Sequence, residues 1–454
     1  MTATSRRSLL QLSLSATAAS LIAARPALAT SRRARILMLS DLHSPYGRLA
    51  PLLAAMRKVV GRDRSHSLIL LNGDLFEFGN VVARRSAGVV DWAFLKALTE
   101  LCPVVLNLGN HDADLMDDLA KTVARAQALG ITVLSDIGDK ATGRPVAPAE
   151  ATLDLGFPVR VLGLATPSLG TYPEAIRAKL AVPPPAAWAR DMLGRPTPSD
   201  GLLVVMSHAG LPSDRPILPL LPDGALMFGG HDHLTLTHEM GRSRYVHTGA
   251  WGTPLTVATI DLADRAQPIR IERIAIDEAG PADKPLAALI AATLKAQLTP
   301  TETAVVAHMP AALSLGDTGR RIAAIMAKAT GADVGFMGHT TLGMGFPKGD
   351  VSQYAFDAVI RFDGTLMTAK VDATTLGEML ALANQDADMA FERRTGDFAY
   401  AAPQKLAGKA EFVIVTPDWC AKHQKGYFGR EDLIFSEAPG PKLKAVVKSA
   451  LSPA

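Results

Sequence analysis

The sequence predicts a layered α/β fold, with α+β character, in two domains, and three observations support this fold class. The chain has 454 residues, of which 48% are hydrophobic and 20% charged, so it can bury at least one large core. Over residues 34–277, short runs rich in Val, Ile and Leu alternate with amphipathic segments, which is typical of layered α/β domains. Residues 277–285 are polar and contain proline, which indicates a domain boundary.

The first 29 residues have the pattern of an export signal. Arg6 and Arg7 precede a weakly apolar stretch, and Ala27-Leu28-Ala29 has the pattern of a cleavage site with small residues at its first and third positions. An anchoring helix is the alternative, but residues 9–24 fall short of the roughly 20 that a membrane span requires. We therefore predict a twin-arginine signal peptide over residues 1–29, export by the twin-arginine machinery, and a periplasmic or secreted protein with no stable membrane span after cleavage.

Charge and cysteine usage exclude other classes of protein. Removing the signal with its three arginines takes the formal net charge from +3 to neutrality, so neither nucleic acid nor a membrane surface is an indicated partner. Cys102 and Cys420 fall in different predicted domains, so no disulfide framework is expected.

The predicted catalytic domain spans residues 30–280. Apolar runs predict strands at residues 35–40, 67–71, 104–108, 159–164, 202–206, 226–228 and 245–248. Residues 48–60, 92–101 and 116–129 place apolar side chains at helical spacing, which predicts crossover helices. The local pattern therefore favours a sheet covered by helices.

A linker helix is predicted over residues 281–299, followed by a smaller α/β domain over residues 300–454. This domain opens with a strand near Val305, a helix over residues 318–330 and a strand over residues 332–337. Later strands are predicted near Leu366 and Phe412, with a helix over residues 373–383.

Five polar clusters each come directly after a predicted strand. Ligands of α/β sheets bind beyond the carboxyl ends of the strands, so we expect the clusters to meet at one edge of one sheet. In chain order they are Asp41 with His43, Gly73-Asp74, Gly109-Asn110-His111-Asp112, Ser207-His208, and Gly229-Gly230-His231-Asp232-His233.

The side chains in these clusters predict a site for two divalent metal ions. Taken singly, a Gly-Asp pair is usually a turn and a histidine is usually a packing residue, so the prediction depends on all five together. Carboxylate, imidazole and carboxamide donors suit Mn, Zn, Co or Fe better than Ca, and no thiolate suggests a structural zinc. Asp41 and His43 lie two residues apart and share a face of an extended backbone, so both can bind one ion.

These residues, in this order, resemble the calcineurin-like metallophosphoesterases, and the two-domain layout is similar to the bacterial periplasmic 5′-nucleotidase and UDP-sugar hydrolase branch. The resemblance implies an N-terminal four-layer metallophosphoesterase β-sandwich flanked by helices, with a smaller C-terminal α/β 5′-nucleotidase-type substrate domain. It also implies two sets of metal ligands bridged by Asp74: Asp41, His43, Asp74 and His233 for one ion, and Asp74, Asn110, His208 and His231 for the other.

The resemblance further implies a mechanism and a reaction. His111 and Asp114 match the family's catalytic histidine and the aspartate that orients it. A hydroxide shared by the two ions would attack phosphorus in line, because coordination lowers the pKa of water to about 7. His111 would stabilise charge on the phosphoryl oxygens and assist the leaving group. The implied enzyme is a phosphoric monoester hydrolase of nucleotide catabolism.

Two aromatic residues of the second domain match the rings between which the family binds a nucleoside. Phe362 lies in Arg361-Phe362-Asp363-Gly364-Thr365-Leu366, and Trp419 lies in Pro417-Asp418-Trp419-Cys420. Base stacking on such a ring contributes about 1 to 3 kcal/mol. The alternative is that both rings fill a small hydrophobic core.

Two loops of this domain depart from the family pattern. The family's asparagine and glycine run ending in arginine is replaced by Gly338-His339-Thr340-Thr341-Leu342-Gly343, and its glycine-glycine-aspartate-glycine loop by His423-Gln424-Lys425-Gly426. The missing arginine would have bound an anionic group with two parallel hydrogen bonds. These departures put the identity of the substrate in question.

Two other functions fit the sequence. A related dimetal hydrolase could act on a phosphodiester, a sugar phosphate or a protein-bound thiosulfonate, since the substrate loops have changed. A non-catalytic exported binding protein could keep the metals as structural support, but it would have no need of His111 and Asp114.

Overall fold

The computed structural model describes residues 32–198, 200–386, 389–402 and 408–452. The predicted signal peptide, residues 1–29, lies outside the described residues. Within the described part of the chain, no helix is both long enough and apolar enough to cross a membrane.

The strands of the N-terminal domain form two six-stranded sheets. In chain order they are β1 (Arg33–Leu39), β2 (Ser67–Asn72), β3 (Val104–Asn107), β4 (Thr132–Leu134), β5 (Gly138–Asp139), β6 (Glu150–Asp154), β7 (Pro158–Leu164), β8 (Leu180–Ala181), β9 (Leu202–Ser207), β10 (Leu226–Gly229), β11 (Thr235–Met240), β12 (Ser243–Thr248), β13 (Pro254–Asp261) and β14 (Ile269–Ala275). The first sheet has the order β14-β13-β1-β2-β3-β4, and the second has the order β11-β12-β10-β9-β7-β6. Strands β5 and β8 form a separate pair.

The helices of this domain begin and end close to the predicted positions where a prediction was made. In chain order they are α1 (Tyr46–Val60), α2 (Val81–Arg85), α3 (Val89–Thr99), α4 (Leu119–Ala128), α5 (Glu174–Arg177), α6 (Pro185–Leu193), α7 (Leu211–Asp214) and α8 (Lys284–Gln297). Single-turn 3-10 segments lie at Leu169–Thr171 and Leu218–Leu220.

Three apolar layers hold these elements together. Residues such as Ile36, Leu68 and Val204 fill the space between the two sheets. Helices α1, α3, α4 and α8 cover the outer face of the first sheet, while α6, α7 and the C-terminal domain cover the second. Every residue of β2 and β9 is buried because both faces of these strands are covered. The predicted four-layer β-sandwich flanked by helices is therefore confirmed.

The expectation of a single sheet from local pattern is wrong. Strands β1, β2 and β3 pair in parallel in the first sheet, whereas β7, β9 and β10 pair in parallel in the second. Hydrophobic periodicity shows that a run is buried but does not show which strand is its neighbour.

The C-terminal domain is smaller and also mixes helices with strands. Its strands are β15 (Val305–Met309), β16 (Val334–Gly338), β17 (Gly349–Ser352), β18 (Leu366–Asp372), β19 (Ala399–Ala401), β20 (Glu411–Pro417) and β21 (Ser436–Glu437). Its helices are α9 (Pro300–Thr303), α10 (Leu315–Thr330), α11 (Gln353–Val359), α12 (Ala373–Leu382), α13 (Asp418–Lys422), α14 (Gln424–Phe428) and α15 (Leu443–Leu451), with 3-10 segments at His339–Thr341 and Phe391–Arg393. The main sheet has the order β19-β16-β20-β18-β21, and β15 pairs with β17.

The two domains share apolar packing. One continuous buried cluster contains Met227 and Tyr245 of the N-terminal domain together with Ile322, Met337 and Tyr400 of the C-terminal domain. This shared cluster holds the C-terminal domain against the second sheet, at the side from which the loops after β9 and β10 emerge.

Candidate metal centre

The loops that follow β1, β2, β3, β9 and β10 meet at one end of the two sheets. The Asp41 amide donates to the Gly73 carbonyl at 3.0 Å, and the His43 amide donates to the Asp74 carbonyl at 3.0 Å. The Asn72 amide side chain crosses between the sheets and donates to the carbonyls of Ser207 at 2.8 Å and Phe228 at 3.0 Å. The five clusters therefore converge as expected, but on the shared edge of two sheets and not on one.

Six predicted ligands form two groups whose candidate ligand atoms lie within 4.8 Å of one another. The groups are Asp41, His43 and His233, and Asp74, His208 and His231. Oδ2 of Asp74 lies 3.2 Å from Nε2 of His208 and 3.9 Å from Nε2 of His43, so it stands between the groups. This position is the one that a bridging carboxylate requires.

Asn110, the remaining predicted ligand, carries a free buried acceptor. Its Nδ2 donates to the Thr171 carbonyl at 3.2 Å, which fixes the orientation of the amide. Its Oδ1 is buried and accepts no hydrogen bond from any residue that the structure describes. A buried carbonyl oxygen without a hydrogen bond is energetically costly unless a cation or a water molecule binds to it. This property fits a metal ligand.

The backbone at the ligands is strained in a consistent way. Five of them have positive φ angles: Asp41 (52°), His43 (52°), Asp74 (53°), His231 (75°) and His233 (54°). Residues other than glycine rarely adopt this left-handed region, and strain of this kind concentrates at functional sites. The sharp turns directly after the strands aim these side chains at one point.

Glycine is needed where two of these loops touch. A Cβ atom at Gly109 would lie 2.5 Å from the backbone nitrogen of Asp74 and 2.9 Å from Cε1 of His208. A Cβ atom at Gly229 would overlap the ring of His247. The close approach at Gly109 lets Asp74 and His208, candidate ligands from neighbouring loops, come within reach of one ion.

Burial and charge set the protonation of the ligands. Burial lowers the pKa of His43 and of His233, with Arg361 adding to the effect, and burial beside His208 lowers the pKa of His231 to about 4. Neutral imidazole is the form that binds a metal. At Asp74, burial favours the neutral acid, but nearby histidines outweigh it and hold the pKa well below its usual range.

His208 behaves differently from the other histidines. Burial disfavours its charged form, but Asp74 and Asp41 outweigh this and raise its pKa to about 10. A metal ion that binds here replaces a proton, so binding in this group is accompanied by proton release.

His111 and Asp114 form the predicted catalytic pair. Nδ1 of His111 lies 2.8 Å from Oδ2 of Asp114, which also accepts the Phe78 amide at 2.9 Å. The backbone amide of His111 donates to Oδ1 of Asp74 at 2.8 Å. Burial lowers the pKa of His111, but Asp114 and Asp74 outweigh it and raise it to about 9. The side chain remains 20% exposed, and its ring lies beside that of His43, with 5.1 Å between the ring centroids.

Several residues that support the site were not identified from sequence. Asp112 joins two loops by accepting the amides of Leu75 at 2.8 Å and Gly109 at 2.7 Å. Glu77 and Arg361 form a buried ion pair beside His43, and Trp251 stacks on the His43 ring. The position of Asp112 inside the Asn110-His111 cluster was a usable signal, whereas nothing local marks Arg361 as part of the site.

Phe362 and Trp419 are not core residues. Their exposed fractions are 45% and 38%, so the alternative that both rings fill a hydrophobic core is wrong. The Asp418 amide donates to the Thr365 carbonyl at 2.9 Å, which places the start of α13 beside the loop that carries Phe362. Trp419 is covered on one face by His423, with 3.9 Å between ring centroids.

The altered loops have structural partners. The buried His339 ring accepts the Phe398 amide at 3.2 Å through Nδ1 and lies 2.7 Å from the Asp232 carbonyl through Nε2. His339 therefore supports the turn between His231 and His233 and is not open to a substrate. Lys425 is exposed and pairs with Glu431 at 3.0 Å.

Comparison with known proteins supports the prediction made from the clusters. Residues 34–234 match the family model described as calcineurin-like phosphoesterase. No curated protein matches the sequence.

Solved structures similar to this chain include nucleotidases. The 5′-nucleotidase precursor of Thermus thermophilus is 17% identical, with a TM-score of 0.61 and coverage of 92% of this chain and 96% of that one. The sulfate thiohydrolase SoxB of the same organism is 14% identical, with a TM-score of 0.61 and coverage of 92% and 93%. The 5′-nucleotidase of Candida albicans is 12% identical, with a TM-score of 0.59 and coverage of 92% and 97%.

These likenesses confirm the predicted two-domain fold over nearly the whole chain. The family match and the two groups of candidate ligands support a metal-dependent phosphoester hydrolase, as the sequence predicted.

Proposed function

We propose, from the match of residues 34–234 to the calcineurin-like phosphoesterase family model, that the protein is an exported, two-metal phosphohydrolase of 5′-nucleotidase type. The observation that carries the proposal is the placement of Asp74 between two ligand groups, with its Oδ1 bonded to the amide of His111. This placement links the metals to a candidate acid and charge stabiliser. The proposed substrate is a small phosphate ester, with nucleotides as the first class to test.

The donor set supports the choice of metals. Carboxylate, imidazole and one free carboxamide oxygen fit two divalent ions such as Mn, Zn, Co or Fe. When bound, such a pair supplies a nucleophile at neutral pH and neutralises charge on the phosphoryl group. The proposed assignment places Asn110 with His208 and His231, and places Asp74 in both groups.

The residues of the chain position the substrate and move a proton. Asp114 holds Nδ1 of His111, so Nε2 is directed away from the pair and is available to a phosphoryl or leaving-group oxygen. We expect this nitrogen to donate its hydrogen to that oxygen during turnover. Phe362 and Trp419 would stack on a base, which their exposure allows.

Another ester is the second candidate for the substrate, and one observation favours it. The loop that carries the family's arginine is here occupied by His339, whose ring contacts Asp232 and Phe398. An anionic group on a nucleotide would therefore lack the contact that the family's arginine makes. We therefore keep a phosphodiester, a sugar phosphate or a thiosulfonate as the alternative substrate classes.

A substrate panel tests both candidates. The mature protein, reconstituted with manganese, is assayed on nucleoside monophosphates, UDP-glucose, bis-aryl phosphate and small sugar phosphates. We expect the highest kcat/KM on nucleotides. Activity confined to simple esters or diesters would agree with the proposed metal chemistry but would contradict the nucleotidase assignment.

Export is a separate part of the proposal and has a separate test. The protein is expressed with its native N-terminus, and the periplasmic fraction is examined by mass spectrometry. We expect Thr30 as the first residue, and an intact N-terminus on a membrane-bound protein would contradict cleavage.

A further inference from the structure

A buried ion pair joins the two domains beside the candidate metal centre. Nε of Arg361 donates to Oε2 of Glu77 at 2.8 Å, and Nη2 donates to the same oxygen at 2.5 Å. The side chains are only 4% and 5% exposed. Burying two charges is costly, so such a pair is weak evidence for a gain in stability alone. Its position suggests another role.

This ion pair contacts a candidate metal ligand. Oε2 of Glu77 lies 3.4 Å from Nδ1 of His43, and Nη2 of Arg361 lies 3.2 Å from the same nitrogen. Nε2 of His43 lies 3.0 Å from Nε2 of His233, the other histidine of its group. One ring nitrogen of His43 therefore faces the metal group, and the other faces the domain interface.

The chemistry of imidazole determines which partner His43 can use. If Nε2 binds a metal, Nδ1 carries the hydrogen and must donate it. A guanidinium group has no acceptor, so Arg361 cannot receive this hydrogen, whereas the carboxylate of Glu77 can. A carboxylate behind a histidine ligand fixes the tautomer and the ring orientation and makes the ligand more basic.

Arg361 fixes Glu77 in this role. Its Nη1 is anchored by the Thr340 carbonyl at 2.9 Å, and the Gly79 amide holds the other oxygen of Glu77 at 2.9 Å. The carboxylate is thus restrained from both sides, with Oε2 directed at His43. Trp251 completes the support, because its ring stacks on His43 at 5.2 Å and faces Arg361 at 5.3 Å.

We propose that Arg361 is a positioning residue of the C-terminal domain, and this proposal rests on the metal site of the proposed function. Through Glu77 it orients His43 and so sets the metal affinity of the group Asp41, His43 and His233. The C-terminal domain thereby contributes to metal binding in addition to binding substrate. Docking of this domain and occupancy of this group are coupled, and by linkage metal binding stabilises the docked arrangement.

The test measures both metal-binding steps on the full mature chain. Mn²⁺ and Zn²⁺ are titrated by calorimetry and by competition with a chromophoric chelator, using the unmodified protein, Arg361→Gln, Glu77→Gln, the double variant and Arg361→Lys. We expect Arg361→Gln and Glu77→Gln each to weaken one step ten- to a hundredfold and to leave the other unchanged. The double variant should lose no more metal affinity than the single variant with the larger loss. Arg361→Lys should retain part of the affinity that Arg361→Gln loses.

A matched control separates this contact from domain docking in general. Arg85 of α2 pairs with Glu302 of α9 at 2.7 Å, so Arg85→Gln also breaks an arginine–glutamate pair between the domains. In the part of the chain that the structure describes, the hydrogen bonds of these two side chains go to Gln297, to Thr299 and to each other, and none goes to a candidate metal ligand. We expect this control to leave both metal-binding steps unchanged. An equal loss in Arg85→Gln would overturn the proposal, since loosening of the domains would then be the cause.

The remaining outcomes are also decisive. A folded Arg361→Gln protein with unchanged affinities would overturn the role of Arg361. If circular dichroism shows that Arg361→Gln does not fold, the test depends on Glu77→Gln and Arg361→Lys. Unchanged metal affinity in both of these variants would also overturn the role of Arg361. Failure of the unmodified protein to bind two ions would instead contradict the proposed function.

Discussion

His111 combines three contacts in one residue. Its ring bonds Asp114, its backbone amide bonds Asp74, and its exposed edge faces the site. None of these His111 atoms is a candidate metal ligand. The side chain can therefore be removed while the metal centre stays in place.

We predict that His111→Ala lowers the rate of phosphate-ester hydrolysis about a hundredfold and leaves two metals bound, because a proton donor and charge stabiliser is lost. Rates and metal content are measured on the same preparation. His66→Ala is the matched control, since His66 also bonds an aspartate three residues away, Asp63, but precedes β2 and so lies at the opposite end of that strand from the ligands. A near-normal rate in His111→Ala would remove the residue from the mechanism.

Asp91 is a buried carboxyl group in α3 that accepts the Tyr46 hydroxyl at 2.7 Å. Burial raises its pKa from 3.8 to about 6. The folded protein binds this proton more tightly than the unfolded chain, so the contribution of Asp91 to stability is fully present at low pH and falls as pH rises through this window.

In the unmodified protein, we expect titration of Asp91 to lower the free energy of unfolding by up to about 3 kcal/mol as the pH rises from about 4 to 7. We predict that this decrease is absent in Asp91→Asn. Urea unfolding is followed at both pH values in the presence of a chelator, so metals do not contribute. Glu100→Gln, at the exposed end of α3, should leave the pH dependence unchanged. Identical pH profiles for Asp91→Asn and the unmodified protein would show that this carboxyl group is not the cause.

At the residue level, sequence order indicates the candidate ligands but not the residues that support them. Asp41, His43 and Asp74 each follow an apolar strand closely, and this local signal is strong. Arg361 reaches Glu77 across 284 positions, and no periodicity or spacing links them. Contacts of this kind depend on how the domains dock, which local sequence does not encode.

The ends of β1, β2, β3, β9 and β10 determine the geometry of the site. Positive φ angles or glycines in the turns that follow these strands direct the chain inward. The loop after β3 passes so close to Asp74 that a side chain at Gly109 does not fit. The turn is therefore as important as the ligands that it carries.

We predict that Gly109→Ala destabilises the protein by about 1 to 3 kcal/mol and weakens metal binding, because Asp74 and His208 must move. Thermal unfolding and metal titration are measured together. The same substitution at Gly377 in α12, where a Cβ atom meets no described atom within 4 Å, should be neutral or stabilising by up to about 1 kcal/mol. Unchanged metal affinity in Gly109→Ala would contradict the close-packed arrangement.

The elements that sequence predicted are those with continuous apolar runs. Strands β2 and β9 are buried on both faces, and β1 is buried over most of its length, so all three give a clear pattern. Strands such as β11 and β14 alternate buried and exposed residues at the sheet edges, and we did not predict them. Edge strands carry a weaker signal because many of their side chains contact water.

At the scale of the whole molecule, the C-terminal domain packs on the second sheet and places Arg361 beside the candidate metal centre. The fold class and the two domains could be predicted, because each domain has its own alternation of strands and helices. The division of the N-terminal strands into two sheets could not, since pairing is a long-range property. The exposed rings of Phe362 and Trp419 are the part of this arrangement that bears on substrate choice.

If these rings hold a base, Trp419→Ala should raise KM for nucleotides about tenfold, since stacking contributes about 1 to 3 kcal/mol, and should leave hydrolysis of a small aryl phosphate unchanged. Steady-state kinetics on both substrates gives the comparison. Ile434→Ala, which removes an exposed apolar side chain of the same domain, serves as the control. Equal effects of Trp419→Ala on both substrates would reject the base clamp.

The proposed reaction requires two metal ions that act together, and a metal titration of activity tests this requirement most directly. Metal-free mature protein receives Mn²⁺ in known equivalents, and hydrolysis of an aryl phosphate is followed alongside the bound metal content. We predict that activity is absent without metal, rises until two equivalents are bound, and is lost again with a chelator. Activity that persists in metal-free protein, or that is complete with one ion bound, would contradict the two-metal site.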